Sequence, residues 1–337
     1  MIKHIILTYG APHEHQRAIF SILSFWAWYK GDPSAVQTLV FTDRPDAFRP
    51  YLTGLPVEYR QLTTEMLEEM YGGQRFLHRA KIAVIEEIFK AYPTAKLLFC
   101  DSDTFFIANP EKLFRQLKSG VSIMHLREYR YGNAIPKGVS PEYKKQIQTG
   151  VDLITSKSFV IGNDRYRFNK THYMYNSGVL GLSPEIAELL PDIYSITDTI
   201  HGNHKWLLGE QVAFSLVLST KTRLRCSGRY VFHYWNQALK IRMDSLLNKL
   251  FNNGFDQLDL LDQLLRTKQL TTQWPGTVVV GMVWQKVLDD ISEGKMIDAV
   301  KNSLRVTRDI FISPYKAAFA KKLLRTFKHR PRSLADF

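Results

Sequence analysis

Over the first 125 residues, short runs of β-branched and aromatic residues alternate with stretches whose apolar positions recur at helical spacing. HIILTY, TLVFT, VEYRQL, KLLFC and VSIMHL read as strands, and residues 14–29 and 79–91 read as helices. Parallel strands need crossover connections, and these lay helices over both faces of a sheet, so the alternation predicts a mostly parallel, helix-covered α/β sheet. In such sheets ligands gather beyond the carboxyl ends of the strands. From 127 to 175 the chain turns polar and aromatic (REYRYGNAIPKG, DRYRFNKTHYMY) with weak periodicity of either kind, which reads as a long insertion forming a flap over the site. NSGVLGLSPE restores order as a strand followed by a helix start, with Ser183 suited to the N-cap and Pro184 to the first helical position. EQVAFSLVL reads as a helix and GRYVFHYW as a late strand. Beyond Asn236 only helices are expected: QALKIRMDSLLNKLF, FDQLDLLDQLL and a stretch from about 283 to 311. The organisation predicted is an α/β domain over 1–235 and a helical region over 236–337.

A length of 337 residues and 45% hydrophobic content suit one large domain with an accessory region and exclude a disordered or fibrous chain. Two cysteines, Cys100 and Cys226, exclude a disulfide framework, and without a C-x-x-C the chain fits a reducing, cytoplasmic setting. MIKHIILTYG is too short an apolar run for a signal peptide and reads as the first core strand, so no export is expected. Thr277–Trp284, the longest uncharged apolar run near the C-terminus, falls far short of the roughly 20 residues that span a bilayer. Any membrane contact is therefore expected from one side only.

Lysine and arginine total 45 against 32 acids, and the resulting +13 calls for an anionic partner: nucleic acid, acidic lipid or a phosphorylated substrate. Seven basic residues and no acid lie between Lys316 and Arg332, where Tyr315, Phe319, Leu323 and Phe327 recur at four-residue steps. This basic amphipathic tail, about 314–332, fits either a terminal helix docked on its own domain or one lying on an anionic membrane. On a membrane each cation adds about 1 kcal/mol. A nucleic-acid partner is disfavoured, because basic residues interleave with aromatics only in the 127–175 insertion.

The stretch LLFCDSDTFFIANP, residues 97–110, ends an apolar strand on Asp101 and Asp103. With 18 aspartates in the chain about one D-x-D is expected by chance, so the triplet matters only through its surroundings. Two carboxylates at the end of a buried strand repel each other and lose hydration unless a cation or donors compensate. A hard divalent ion whose remaining positions hold phosphate oxygens would resolve the conflict. The alternative is that one aspartate caps a turn and the other faces water.

Three blocks in order resemble the nucleotide-sugar glycosyltransferases of the GT-A fold, closest to the family-8 type: FLHRAKIAVIEEIF, KLLFCDSDTFFIANPEKLF and YNSGVLGLSPE. The resemblance spans roughly residues 3 to 235 and implies a Rossmann-like GT-A domain with a helical C-terminal extension. It implies that Asp101 and Asp103, with a late histidine, His233, hold Mn²⁺ or Mg²⁺ on the donor diphosphate. The family's His-x-x-Gly followed by lysine is missing around His233, so a packing role stays open. By the same resemblance Arg79, or failing it Lys81, would neutralise phosphate, and Ser102, Ser177 and Gly178 would border the donor. Thr8 and Tyr9 would meet the nucleobase, Tyr9 by stacking or simply as packing. Asp43 would accept from base or ribose, or else cap the turn before Pro45. Asn176, Glu210 and Gln211 would lie at the donor sugar, with Glu210 alternatively serving only the helix dipole. Trp206, His201 and His204 would help shape an acceptor cleft.

The activity implied is metal-assisted transfer of a sugar, with retention, from a UDP-sugar to an acceptor hydroxyl on a glycan, a lipid-linked carrier or a protein. Two rivals differ in class. A sugar-1-phosphate nucleotidyltransferase would open with a glycine-rich loop, whereas TYGAPHEHQ holds one glycine. A basic scaffold with an inactive transferase-like core would bind nucleic acid or membrane through the tail.

Overall fold

The computed structural model describes residues 1–73, 75–135 and 140–292; the basic tail and the helix expected beyond 292 lie outside these. The first half lays down β1 (Ile2–Thr8), α1 (Pro12–Trp28), β2 (Val36–Thr42), α2 (Arg49–Leu52), β3 (Val57–Gln61), α3 (Thr64–Tyr71) and α4 (Arg79–Ala91). Then come β4 (Lys96–Asp101), β5 (Thr104–Phe106), α5 (Glu111–Phe114), β6 (Val121–Met124) and β7 (Arg127–Arg130). After these follow α6 (Pro141–Ser156), β8 (Ser158–Ile161), β9 (Asp164–Arg167), β10 (Tyr173–Tyr175), β11 (Val179–Leu182), α7 (Leu190–His204) and α8 (Gly209–Lys221). The described residues close with β12 (Arg223–Cys226), β13 (Val231–His233), α9 (Gln237–Phe251) and α10 (Leu260–Ser292).

Seven strands form one sheet in the order β12-β6-β11-β4-β1-β2-β3. All neighbours run parallel except β11, which is antiparallel to both β4 and β6. The mostly parallel, helix-flanked α/β architecture expected from the alternation is what the chain adopts. Because successive side chains of a strand face opposite ways, the strands feed two cores. Ile5, Leu39, Leu97 and Phe99 pack under α4, α6, α7 and α8. Ile6, Val40, Leu98 and Cys100 pack on the other face, against α1, and Leu239, Met243, Leu247, Leu270 and Trp274 of the two last helices join that same cluster. Trp274 stacks on Phe20 at 4.8 Å.

Three expectations are corrected. The stretch 127–175, read as aperiodic, contains the 16-residue α6. Its start was legible, since Ser140 accepts from Tyr143 N and Pro141 follows it, and Ile147, Val151 and Ile154 line the buried face. Basic and polar residues on the outer face diluted that pattern. Second, Ser183 makes no side-chain cap, because Pro184–Leu189 forms a 3₁₀ turn before α7 begins. Third, the C-terminal helices are divided differently: Phe255–Gln257 is a separate turn and α10 runs unbroken from Leu260 through Pro275 to Ser292. No described helix is long and apolar enough to cross a membrane.

The long excursion after β6 leaves and re-enters the sheet rim at one point. His125 N donates to Asn176 O at 2.9 Å and Asn176 N donates to Leu126 O at 2.8 Å. The antiparallel run of β11 then sets Gly178 beside Asp101, whose N donates to Gly178 O at 2.8 Å.

Candidate functional site

The apolar run LLFC is buried as β4, and its last residue, Asp101, emerges at the carboxyl edge beside Leu7 of β1. Thr104 Oγ1 donates back to Asp101 O at 2.8 Å, closing a tight turn that aims Asp103 at the same space. β5 pairs with β13 so that His233 lies opposite Thr104, and Tyr234 N donates to Asp103 O at 3.0 Å. Asp101, Asp103 and His233 each present one ligand atom within 4.8 Å of the others.

The imidazole is held from both ends. His233 Nδ1 lies 2.9 Å from Asn176 Oδ1, which also accepts from Gly178 N at 3.0 Å, so Nδ1 carries the proton. Nε2, 3.1 Å from Asp103 Oδ1, is thereby left to donate a second proton or to offer its lone pair to a cation. Gly178 makes this approach possible, since a Cβ there would meet His233 Cε1 at 2.1 Å. Two carboxylate oxygens and an imidazole nitrogen form a donor set suited to Mn²⁺ or Mg²⁺. The group fits the expected ion.

Two lysines share the remaining oxygens. Lys240 Nζ sits 2.8 Å from Asp103 Oδ2, and Lys81 Nζ sits 3.1 Å from Asp101 Oδ1. Burial opposes the charge on Asp103, but His233 and Lys240 outweigh it and hold the carboxyl well below its usual range. Burial likewise opposes the charge on Lys81, yet Asp101 and Glu210 raise it above the ordinary lysine value. A cavity of about 430 Å³ opens over these groups, walled by Thr8, Tyr9, Lys81, Asp101, Ser102 and Asp103. Exposed Leu77 and Leu207 stand among its lining residues.

Beneath Lys81 the polar groups change character. Glu210 lies 3.4 Å from Lys81 and accepts from Ser177 Oγ at 3.1 Å. Burial, added to by the charge on Asp101, pushes its carboxyl up to about 7, against Lys81 and Ser177. Glu128 accepts from Asn176 Nδ2 at 3.1 Å and Gln211 Nε2 at 3.0 Å, and burial raises it despite both amides. Gln211 Oε1 accepts from Ser177 N at 3.3 Å. Asn176 therefore belongs to both ends, with its oxygen on His233 and its nitrogen on Glu128.

Of the residues singled out from sequence, Thr8, Tyr9, Lys81, Asp101, Ser102, Asp103, Asn176, Ser177, Gly178, Glu210, Gln211 and His233 come together here. Arg79 does not. It donates to Asp198 at 3.0 Å and to Met70 O at 3.2 Å and lies over the Tyr194 ring, because two positions along a helix point to different faces. Asp43 also stands back: His15 Nε2 at 2.7 Å and Gly10 N at 3.1 Å take its two oxygens, so it shapes the turn after Tyr9. Trp206 is fully buried with its ring against Gly150, and His201 stacks on Phe76 at 4.0 Å, so both are packing residues rather than cleft walls. The His204 side chain lies outside the description.

Sequence reasoning missed Glu14, Glu128 and Lys240. Glu128 opens a stretch read as aperiodic, and Glu14 looked like an ordinary first-turn acid of α1. Lys240 was findable, being a lysine shortly after His233, though not at the family spacing. Trp235, half exposed with its ring 5.2 Å from that of His233, went unremarked too.

No family model matches the chain, and no curated protein matches it. Among solved structures it is similar to mouse xyloside xylosyltransferase 1 in its apo form, with a TM-score of 0.43 and 14% identity over 67% of this chain and 85% of that one. It is also similar to the galactosyltransferase LgtC in complex with donor and acceptor sugar analogues, with a TM-score of 0.46 and 12% identity over 73% of this chain and 95% of that one. Likeness of this degree carries no weight for activity, which has to be argued from the side chains.

Proposed function

We propose that the chain is a metal-dependent glycosyltransferase of the GT-A, family-8 type, moving a sugar from a nucleoside-diphosphate donor, a UDP-sugar first of all, to an acceptor hydroxyl. One observation carries the reading: Asp101, Asp103 and His233 converge within 4.8 Å beyond the carboxyl end of β4, and the two aspartates stand on the wall of a cavity of about 430 Å³. Mn²⁺ or Mg²⁺ on these three groups would neutralise the charge that builds on the departing diphosphate.

The chain's own residues supply the rest. Lys240 is the mobile-headed cation nearest the ion site and would move from Asp103 to a diphosphate oxygen. Lys81 is buried and pairs with Asp101 at 3.1 Å. Thr8 Oγ1, without a hydrogen-bond partner among the described residues, and Tyr9 offer a hydroxyl and a ring to the nucleoside. Asn176, Gln211, Glu128 and Glu210 form a hydrogen-bonded polar layer behind Lys81, whose groups would reach sugar hydroxyls if the donor sugar enters that side. The bond from the anomeric carbon to the diphosphate oxygen breaks, a bond from the acceptor oxygen forms, and the acceptor proton passes to the departing diphosphate. Leu77 and Leu207 at the cavity would limit water once a donor is seated. The half-exposed indole of Trp235 beside His233 favours a glycan acceptor, whose pyranose rings present C–H faces to aromatic surfaces.

The test is a panel of nucleotide sugars incubated with Mn²⁺, with hydrolysis read as nucleotide release and Asp103→Ala as control. Release that needs both Mn²⁺ and Asp103 supports the reading; a purified chain that neither binds nor cleaves any nucleoside diphosphate with manganese present overturns it. Retention is proposed with it and is read from the anomeric proton of the first product by NMR.

A further inference from the structure

We propose that Arg17 is a positioning residue for the metal-and-diphosphate end of this site, acting on the D-x-D turn from two sides through Glu14 and Asp244. The inference rests on the reading above and goes beyond it. Arg17 is only 4% exposed, at the interface of α1 and α9. Its Nε and Nη2 donate to the two oxygens of Asp244 at 2.7 and 2.6 Å, and its Nη1 donates to Glu14 Oε1. Glu14 Oε2 in turn accepts from Ser102 Oγ at 2.9 Å, and Ser102 stands between the two aspartates. Asp244 lies one helical turn beyond Lys240 on α9, and Lys240 Nζ reaches Asp103 Oδ2 at 2.8 Å. One guanidinium thus governs both the turn that presents the carboxylates and the helix that presents the facing cation.

The chemistry favours positioning over simple adhesion. α9 already docks through buried Leu239, Met243 and Leu247, so an apolar side chain at position 17 would serve docking without the cost of burying charge. A bidentate arginine–carboxylate pair fixes direction as well as distance. Such a fix matters because Lys240 loses its present partner when an ion takes Asp103. Its ammonium must then stay over the diphosphate, and the Arg17–Asp244 clamp keeps the helix beneath it from turning away.

The experiment is a double-mutant cycle on the full chain, reading UDP affinity with saturating Mn²⁺ by calorimetry and Mn²⁺ affinity alone by paramagnetic resonance. Lys240→Met is expected to weaken UDP binding by roughly tenfold or more, the scale of one charge-assisted hydrogen bond. Asp244→Asn should weaken UDP binding several-fold, leave Mn²⁺ alone bound as before and add nothing in the Lys240→Met background, whereas Arg17→Met, which also frees Glu14 and the Ser102 turn, should weaken Mn²⁺ binding as well. Melting curves run alongside will show a stability loss that persists in every background; should Arg17→Met not fold, Asp244→Asn and Arg17→Lys carry the same cycle. Additive losses for Asp244→Asn and Lys240→Met, UDP affinity unchanged in the Asp244 variant, or Mn²⁺ affinity unchanged in Arg17→Met overturn the role of Arg17 while leaving the transferase reading intact. If the unaltered chain binds no UDP with Mn²⁺, both fall together.

Discussion

The two neighbouring sets of acids in this site are held by opposite means. At the sheet rim Asp101 and Asp103 face cations, Lys81 at 3.1 Å and Lys240 at 2.8 Å, with His233 between strands. Deeper in, Glu128 is held by two amides and Glu210 by a hydroxyl and a more distant lysine. The protonation tendencies follow, with Asp103 driven down and the two glutamates driven up by burial. The rim aspartates are paired with cations, and those cations are what a divalent ion would displace in the proposed function. The two glutamates sit mainly among neutral donors, and burial there favours their protonated forms.

Four perturbations would break or sharpen this contrast. Chelation, or Asp103→Ala, should remove Mn²⁺-dependent nucleotide release altogether, a drop of at least about a hundredfold in turnover assays. Lys81→Met, which strands Asp101 opposite Glu210, should cost about 3–5 kcal/mol in denaturant unfolding, whereas Arg79→Ala should leave UDP affinity within about twofold. Equal losses of UDP affinity in the two would mean that the cation of this helix has been misassigned. The third concerns Glu210→Gln and its pH dependence. The folded pKa of about 7 lies above the ordinary 4.5, so the stability gained by keeping Glu210 protonated is full below 4.5 and lost as pH rises through 7. Relative to the unaltered chain, the glutamine variant should therefore match it near the lower value and gain up to about 3 kcal/mol by pH 8, read from urea midpoints. A constant difference across that range would show that burial does not govern Glu210. The smallest effect is expected for Gly178→Ala, whose methyl group must push His233 off Asp103 at about 1–3 kcal/mol, with weaker Mn²⁺ binding measured directly.

Sequence made the rim far more legible than the wall. β4 and the turn after it stand out because a buried apolar strand ending on paired carboxylates is a local pattern, confined to neighbouring residues. The helix 79–91 was readable to the residue from its spacing alone. Which of its cations faced inward was not, since Arg79 and Lys81 differ only in angle about the axis, and that angle is set by packing on α7. Glu128, Lys240 and Glu14 escaped for a related reason. Each gains its meaning from a partner far away in the chain, Gln211, Asp103 and Ser102 respectively, and no period links such pairs. α6 was missed through composition rather than distance, its polar outer face hiding a Ser-Pro start and an apolar stripe.

The pair of backbone bonds joining positions 125 and 126 to Asn176 has a consequence for how this chain could diversify. Everything between them hangs from a closed gate in the rim, and closing a loop there costs only slightly more as the loop lengthens. Exposed turns between them, outside α6 with its buried Ile147, Val151 and Ile154 and outside the β7–β10 ribbon, could thus be trimmed or extended without shifting Asp101, Asp103 and His233. Variation would then gather in those turns, and constancy in the strands and the helix on which they are mounted.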